Sequence, residues 1–209
     1  MKRLESLSGM MDLPFPQYDM PPATPYEILL SWLEQAHQEN VREPDAWTLA
    51  TRDDSGSISM RTIFPVHLDG EKLWFATHIG SRKSKDICAN REASCHIYWR
   101  ELGRQISLSG NAELLPDYLA DKIWHKRNSA YDPVSIASHQ SEPLTNINAL
   151  LAAVAQLEND GKLPRPERFV VWQLTFNSYE FWSASASRIH KRLIYTRNEQ
   201  GWENARLQP

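Results

Sequence analysis

Between residues 46 and 114 apolar and polar side chains alternate in short runs, the period of half-buried strands. Residues 47–51, 59–67 and 72–77 read as three strands. Two hairpin turns divide them, Asp53-Asp54-Ser55-Gly56 and Leu68-Asp69-Gly70. Residues 94–99 and 105–114 make two more, joined by 100–103, with a short helix over 81–90. Upstream the period is helical: Tyr26, Leu29, Leu30 and Leu33 share a face. Thr24, Pro25 and Glu27 supply an N-cap, a first-turn proline and a T-x-x-E capping box. Pro14, Pro16, Pro21 and Pro22 precede that helix and predict an extended arm over 1–23, ahead of one domain over 24–209. A helix is predicted over 117–127. Another is marked by Ile147, Leu150, Leu151, Val154 and Leu157 and ended by Asn159-Asp160-Gly161. After a stiff connector at Pro164 and Pro166, residues 169–206 are again strand-rich, with a turn over 198–201. Many antiparallel strands with helices set aside predict a mainly β fold with α decoration (α+β), a small Greek-key-like antiparallel barrel.

Composition narrows the function. The chain has 209 residues, 41% of them hydrophobic, and a net charge of −3. That balance suits a soluble globular protein and lacks the basic field of a nucleic-acid binder. No apolar run approaches the roughly 18–20 residues of a membrane span. Met1-Lys2-Arg3-Leu4-Glu5 has no apolar stretch behind it, so no secretory signal is expected and the location reads as cytoplasmic. Cys88 and Cys95 are expected to be reduced thiols, Cys88 buried and inert. There is no G-x-G, C-x-x-C or G-x-S-x-G pattern and no zinc-protease histidine spacing, so no metal is expected.

Two places carry charges that need a partner. Arg82, Lys83 and Lys85 crowd the first turn of the 81–90 helix, where unpaired N–H groups already sum to about half a positive charge. A bound anion would offset them; a solvated basic turn is the plainer alternative. If residues 187–195 form a strand, Arg188, His190 and Arg192 line one face, beside Glu180-Phe181-Trp182. A solvated edge strand is the alternative there. Arg61 sits awkwardly inside a predicted strand. Three basic clusters on a weakly acidic chain point to one concentrated anionic site, and Trp182 is the aromatic best placed to wall a planar ring.

Arg61-Thr62-Ile63, Phe75-Ala76-Thr77, Gly80-Ser81-Arg82-Lys83, Arg104-Gln105, Gln140-Ser141, Glu180-Phe181-Trp182 and Arg188-Ile189-His190-Lys191-Arg192 follow in an order that resembles the pyridoxamine 5′-phosphate oxidase family, the FMN-binding split barrels. The resemblance implies a homodimer with each FMN held between two subunits. It places Arg61, Arg82 and Lys83 on the FMN phosphate. Thr62, Ile63, Phe64, Ala76 and Thr77 would lie along the flavin, with Gln105, Gln140, Ser141, Trp182 and Arg192 as further contacts. Arg188 and His190 would face substrate, His190 being the leading candidate for a general base.

Members that make pyridoxal phosphate carry lysine where this chain has Val66, tyrosine at Ile123 and serine at Tyr131; of that set Arg127 survives. Valine and isoleucine offer a phosphate no donor. Pro14-Phe15-Pro16, Tyr98-Trp99-Arg100-Glu101, Leu163-Pro164-Arg165-Pro166-Glu167 and the Arg-Leu-Gln-Pro end are similar instead to the flavin oxidases of phenazine biosynthesis. That likeness implies oxidation of a partly reduced tricyclic phenazine carboxylate or dicarboxylate, with O2 as acceptor. A pyridoxamine-phosphate oxidase with altered contacts and a non-catalytic flavin-binding barrel are the alternatives.

Overall fold

A computed structural model describes residues 9–158 and 161–209. Nine strands form one curled antiparallel sheet: β1 (Trp47–Arg52), β2 (Ile58–Ile63), β3 (His67–Leu68), β4 (Lys72–His78), β5 (Glu92–Trp99), β6 (Arg104–Leu114), β7 (Phe169–Ser183), β8 (Lys191–Asn198) and β9 (Gly201–Leu207). The order is β2-β1-β5-β6-β7-β4-β3, with β8 and β9 branching from β7. β7 explains the branch. β6 runs along one side of it, while the other side pairs with β4 up to Thr175 and with β8 from Ser178. The ladder slips at Ser109/Gly110, where Asn177 is passed over, and such a bulge bends the strand between its two partners. An ideal Cβ at Gly110 would lie 2.0 Å from the Thr175 carbonyl oxygen. Gly110→Ala is therefore expected to cost about 3 kcal/mol, the upper end for overpacking, read as a lowered urea midpoint at unchanged slope.

Alternation buries one face of β1, β4, β5 and β6, while β7 opens with a continuous buried run. Trp47, Leu49, Ile97, Ile106, Leu108, Phe181 and Leu193 meet in the main core. Helix α1 is the single turn Pro16–Asp19, so the proline-rich segment is not extended throughout as the prolines suggest. Its neighbour Phe15 is buried edge-on against Trp32 at 4.8 Å. Helix α2 (Tyr26–Gln38) closes the core with Ile28, Leu29, Trp32 and Ala36, while Leu30 is exposed. The capping box does not form: the N-cap is Pro25, with no side-chain cap bond, and its carbonyl accepts from Leu29 N.

Helix α3 (Arg82–Asn90) follows β4, and α4 (Asp117–Lys126) packs Trp124 on Phe169 at 4.9 Å in a second small core. A short 3-10 turn, Ser129–Tyr131, leads into α5 (Asp132–Ala137). Helix α6 (Ile147–Leu157) is capped by the Asn146 side chain, which accepts from Ala149 N at 3.0 Å. The stop expected from Asn159-Asp160-Gly161 lies largely outside the described residues, as do Met1–Glu5. The strand expected over 59–67 is broken: β2 ends at Ile63, and residues 64–66, with Pro65 unable to donate to a ladder, carry the chain to β3. Cys88 is exposed on α3, contrary to expectation; it is Cys95 that is buried, its thiol pushed up to about 12 by that burial. Among the described residues no helix is long and apolar enough to cross a membrane.

Candidate functional site

Three elements converge on a cluster of cations. Arg61 extends from β2, Thr77 is the last residue but one of β4, and Arg82 and Lys83 open α3. Ser81 is the helix N-cap but makes no side-chain cap bond to the first-turn amides. The Arg82 amide instead donates to Ser141 Oγ at 3.1 Å, which brings the 138–146 loop onto the helix terminus. Ser141 takes a left-handed φ of 76° there.

Lys83 is the unusual member. Only 8% of its surface is exposed. Its ammonium donates to Thr77 Oγ1 and Gln140 Oε1, both at 3.0 Å, and Thr77 Oγ1 donates in turn to Gln140 Oε1 at 2.7 Å. Both acceptors are neutral, and among the described residues Lys83 makes no ion pair. Burying an ammonium costs free energy unless an opposite charge compensates. Burial, with Arg61 adding repulsion, accordingly lowers the Lys83 pKa to about 8. Arg61 is better served. It donates to Thr51 Oγ1 at 2.7 Å, Ser59 Oγ at 2.5 Å and the Leu49 carbonyl at 3.3 Å, and it lies 3.8 Å from buried Asp86. Asp86 also accepts from Thr51 at 2.6 Å and Ser59 at 2.8 Å, locking α3 to the β1–β2 hairpin. Burial still pulls the Arg61 pKa down, opposed by Asp86 and reinforced by Arg82.

The Lys83 shift has a sign that can be measured. An unfolded lysine keeps its proton up to its ordinary value of 10.5, whereas the folded one releases it near 8. Between those values the unfolded chain binds more protons, so ligand-free stability is expected to rise with pH across that window. An anion beside Lys83 restores the proton. Anion binding above pH 8 is therefore expected to take up close to one proton and to weaken by up to about tenfold per pH unit. Calorimetry in buffers of different ionisation enthalpy reads the uptake.

A second group lies across β6, β7 and β8. Gln105, Trp182 and Arg192 are register neighbours on adjacent strands. His190 lies against Trp182 with ring centroids 4.7 Å apart and the planes tilted by 42°. Arg192 donates from Nε and Nη2 to Glu180 Oε1 at 2.8 and 2.7 Å, and from Nη1 to the Gln208 carbonyl at 2.9 Å. The strand expected over 187–195 begins only at Lys191. Arg188 and His190 therefore stand in the preceding loop, not on one strand face. Arg188 has a left-handed φ of 66° and is exposed, and among the described residues its guanidinium has no hydrogen-bond or ion-pair partner. The Ser185 amide donates to His190 Nδ1 at 3.1 Å. An amide can only donate, so in the neutral ring Nδ1 is the acceptor and Nε2 carries the proton.

The two groups sit at opposite ends of the bent strand β7. Thr77 is in register with Val170 on β7, and Trp182 lies twelve residues further along the same strand, a path of about 40 Å measured along the chain at about 3.3 Å per residue. Between the groups the remaining expected residues are dispersed. Thr62 and Phe64 are exposed, Phe64 at 59%, Val66 is 40% exposed, Ile63 is buried, and Ala76 is partly buried. Arg127 does not stand free. It contacts Asp132 at 3.5 Å and Ser135 at 2.8 Å and lies over the Trp124 ring at 4.6 Å. Tyr131 is exposed nearby. Asp86, the acid that anchors Arg61, escaped the sequence reading, which quoted Glu180 only beside Trp182 and not as the anchor of Arg192. For Glu180 a signal existed, since residues 180 and 182 share a strand face.

The sequence profile described as pyridoxamine 5′-phosphate oxidase matches residues 33–183. The chain belongs to the pyridoxamine 5′-phosphate oxidase family. A second profile, the C-terminal dimerisation region of pyridoxine 5′-phosphate oxidase, matches residues 169–209, which are β7 to β9. Within the family, the dihydrophenazinedicarboxylate synthase of Pseudomonas chlororaphis is 44% identical over 98% of this chain and 93% of its own length. The pyridoxine/pyridoxamine 5′-phosphate oxidase of Photorhabdus laumondii is 34% identical over 88% of this chain and 87% of its own. The crystal structure of PhzG from Burkholderia lata in complex with tetrahydrophenazine-1-carboxylic acid superimposes with a TM-score of 0.93 at 42% identity, covering 96% of this chain and all of that one. The expected split-barrel fold is thereby established for this member of the family.

Proposed function

We propose that the chain is an FMN-dependent oxidase of phenazine biosynthesis, taking a partly reduced tricyclic phenazine carboxylate or dicarboxylate as substrate and O2 as electron acceptor. One observation carries the cofactor reading: Lys83 is a buried ammonium with neutral partners only, next to Arg61 and Arg82. The donor set fits FMN. Two guanidinium groups, one ammonium and the Ser141 hydroxyl can surround a dianionic phosphate, whose ionised oxygens favour charge-assisted donors. When bound, FMN supplies the two-electron acceptor and passes the electrons on to O2. Thr62, Ile63, Phe64, Ala76 and Thr77 would lie along its ring, and Gln140 would orient the phosphate cluster through Lys83.

The working unit is a homodimer. The distance between the two groups along β7 and the match to a dimerisation region support a site in which Gln105, Trp182, Arg188, His190 and Arg192 come from the partner copy. Residues 24–209 would form the flavin-binding unit, with 1–23 an arm on it. Arg192, its charge matched by Glu180, fits a contact to the uncharged ring system. Arg188 has a free guanidinium and His190 an outward Nε2–H, so both are donors suited to a carboxylate. That tautomer makes His190 a hydrogen-bond donor rather than the general base for which the sequence nominated it. Val66 and Ile123 offer a phosphate no donor where the vitamin oxidases carry lysine and tyrosine, and Arg127 is held by Asp132. Those features, with the phenazine names of the relatives at 42 to 44% identity, favour the tricyclic acid over pyridoxamine phosphate.

Purified protein should be yellow and should release FMN on denaturation. Mixed without oxygen with a reduced phenazine carboxylate, its flavin absorbance should bleach at least about 100-fold faster than with pyridoxamine phosphate, a difference of roughly 3 kcal/mol in transition-state binding. Faster bleaching by pyridoxamine phosphate would reverse the substrate assignment.

A further inference from the structure

The segment 9–15 is threaded between two turns that belong to different hairpins. Met10 N donates to the Glu101 carbonyl at 2.8 Å, and Asp12 N donates to the Ala184 carbonyl at 3.0 Å. The fit at the first turn is close: a Cβ on Gly9 would meet the Arg100 carbonyl oxygen at 1.7 Å, and one on Gly103 the Met10 carbonyl oxygen at 2.4 Å. Phe15 pins the far end in the core. Asp12 itself takes a left-handed φ of 57°, a conformation that costs a non-glycine residue free energy and persists only where neighbours impose it. Its Oδ2 accepts from the Ala186 amide at 3.2 Å. Hydrogen bonding from Ser185, then from Ala186, holds its carboxyl below the usual range.

Ser185 and Ala186 begin the loop that carries Arg188 and His190. Ser185, which adjoins Ala186, donates its amide to His190 Nδ1, and its carbonyl accepts from Arg188 N at 3.0 Å. Ser187 Oγ, 2.9 Å from Ser185 Oγ, accepts from Ile189 N at 3.2 Å. Among the described residues, the hydrogen bonds of the Arg188 amide and the His190 ring thus both run to Ser185, which adjoins the Ala186 held by Asp12.

We propose that Asp12 is a positioning residue for the substrate carboxylate: its bond to the Ala186 amide holds the 184–190 loop so that Arg188 and the Nε2–H of His190 face the same anion. This inference rests on the reading of those two residues as the substrate-facing pair. Asp12 touches neither substrate nor flavin in this scheme, so its effect belongs in KM and not in flavin retention.

The test uses the full-length holoenzyme. Asp12→Gly accepts the left-handed φ and removes the acceptor; Asp12→Asn keeps an acceptor oxygen and tolerates the same φ. Asp12→Gly should raise KM for a reduced phenazine carboxylate about tenfold, the effect of losing one orienting hydrogen bond, with kcat and FMN content within about twofold of the parent. Asp12→Asn should recover KM to within about twofold. An unchanged KM in Asp12→Gly with only a lowered melting temperature overturns the proposal, as does an Asp12→Asn variant with the same KM defect. Arg188→Ala separates the two levels of failure. If it raises KM while Asp12→Gly does not, only the positioning role is lost. If it too leaves KM unchanged, the substrate-facing reading of the loop has failed.

Discussion

Replacing Lys83 with methionine is expected to leave a folded protein that no longer retains FMN. Methionine nearly matches the stem of lysine, and Thr77 and Gln140 keep their mutual hydrogen bond of 2.7 Å. The ligand-free protein loses a buried charge that has no acid beside it, so its stability should hold or rise. The flavin complex loses a charge-assisted contact of roughly 1.5–3 kcal/mol, about 10- to 100-fold in affinity. Opposite signs in the two measurements, thermal unfolding without flavin and fluorescence titration with it, distinguish a ligand-binding ammonium from one that supports the fold. A parallel fall in both would assign Lys83 to the fold.

Replacing Arg188 with alanine is expected to spare the flavin and cripple substrate binding. The guanidinium stands free in a loop whose backbone bonds are made by other groups, so its removal leaves no buried partner unsatisfied and stability should change by less than about 0.5 kcal/mol. A carboxylate that loses a charged donor gives up roughly 1.5–3 kcal/mol, so KM should rise about 10- to 100-fold, with the flavin spectrum unaltered. Flavin loss instead would move Arg188 from the substrate side of the site to the cofactor side.

How much of this was legible in the sequence depends on which force shapes each segment. The strands from Trp47 to Leu114 announce themselves because a half-buried sheet imposes alternation, and their bounds fall within a few residues of expectation except where Pro65 interrupts. The cations of α3 were legible as a misfit with the helix terminus they occupy. The loop of Arg188 and His190 was not. Its shape is set by local bonds, Ser187 Oγ accepting from the Ile189 amide and the Ser185 carbonyl from the Arg188 amide, which leave no periodicity; the alternating S-A-S-A-S run was the available signal. The capping box failed because Pro25 itself became the N-cap. Asp86 was invisible because its partners Thr51, Ser59 and Arg61 lie between 25 and 35 residues earlier in the chain, close only after the hairpin folds over α3. The long bulged strand that sets the two groups apart also could not be read, since register is a property of pairs.

In the proposed homodimer one working site takes its phosphate cradle from one chain and its carboxylate shelf from another. Complementation tests it directly. Lys83→Met and Arg188→Ala are each produced alone and then unfolded and refolded together. In a mixed dimer one site carries both defects and the other carries neither, so with random pairing roughly a quarter of parental activity should return. If the groups instead served the same chain's site, every site would carry one defect, and activity in the mixture would stay at the level of the two separate variants.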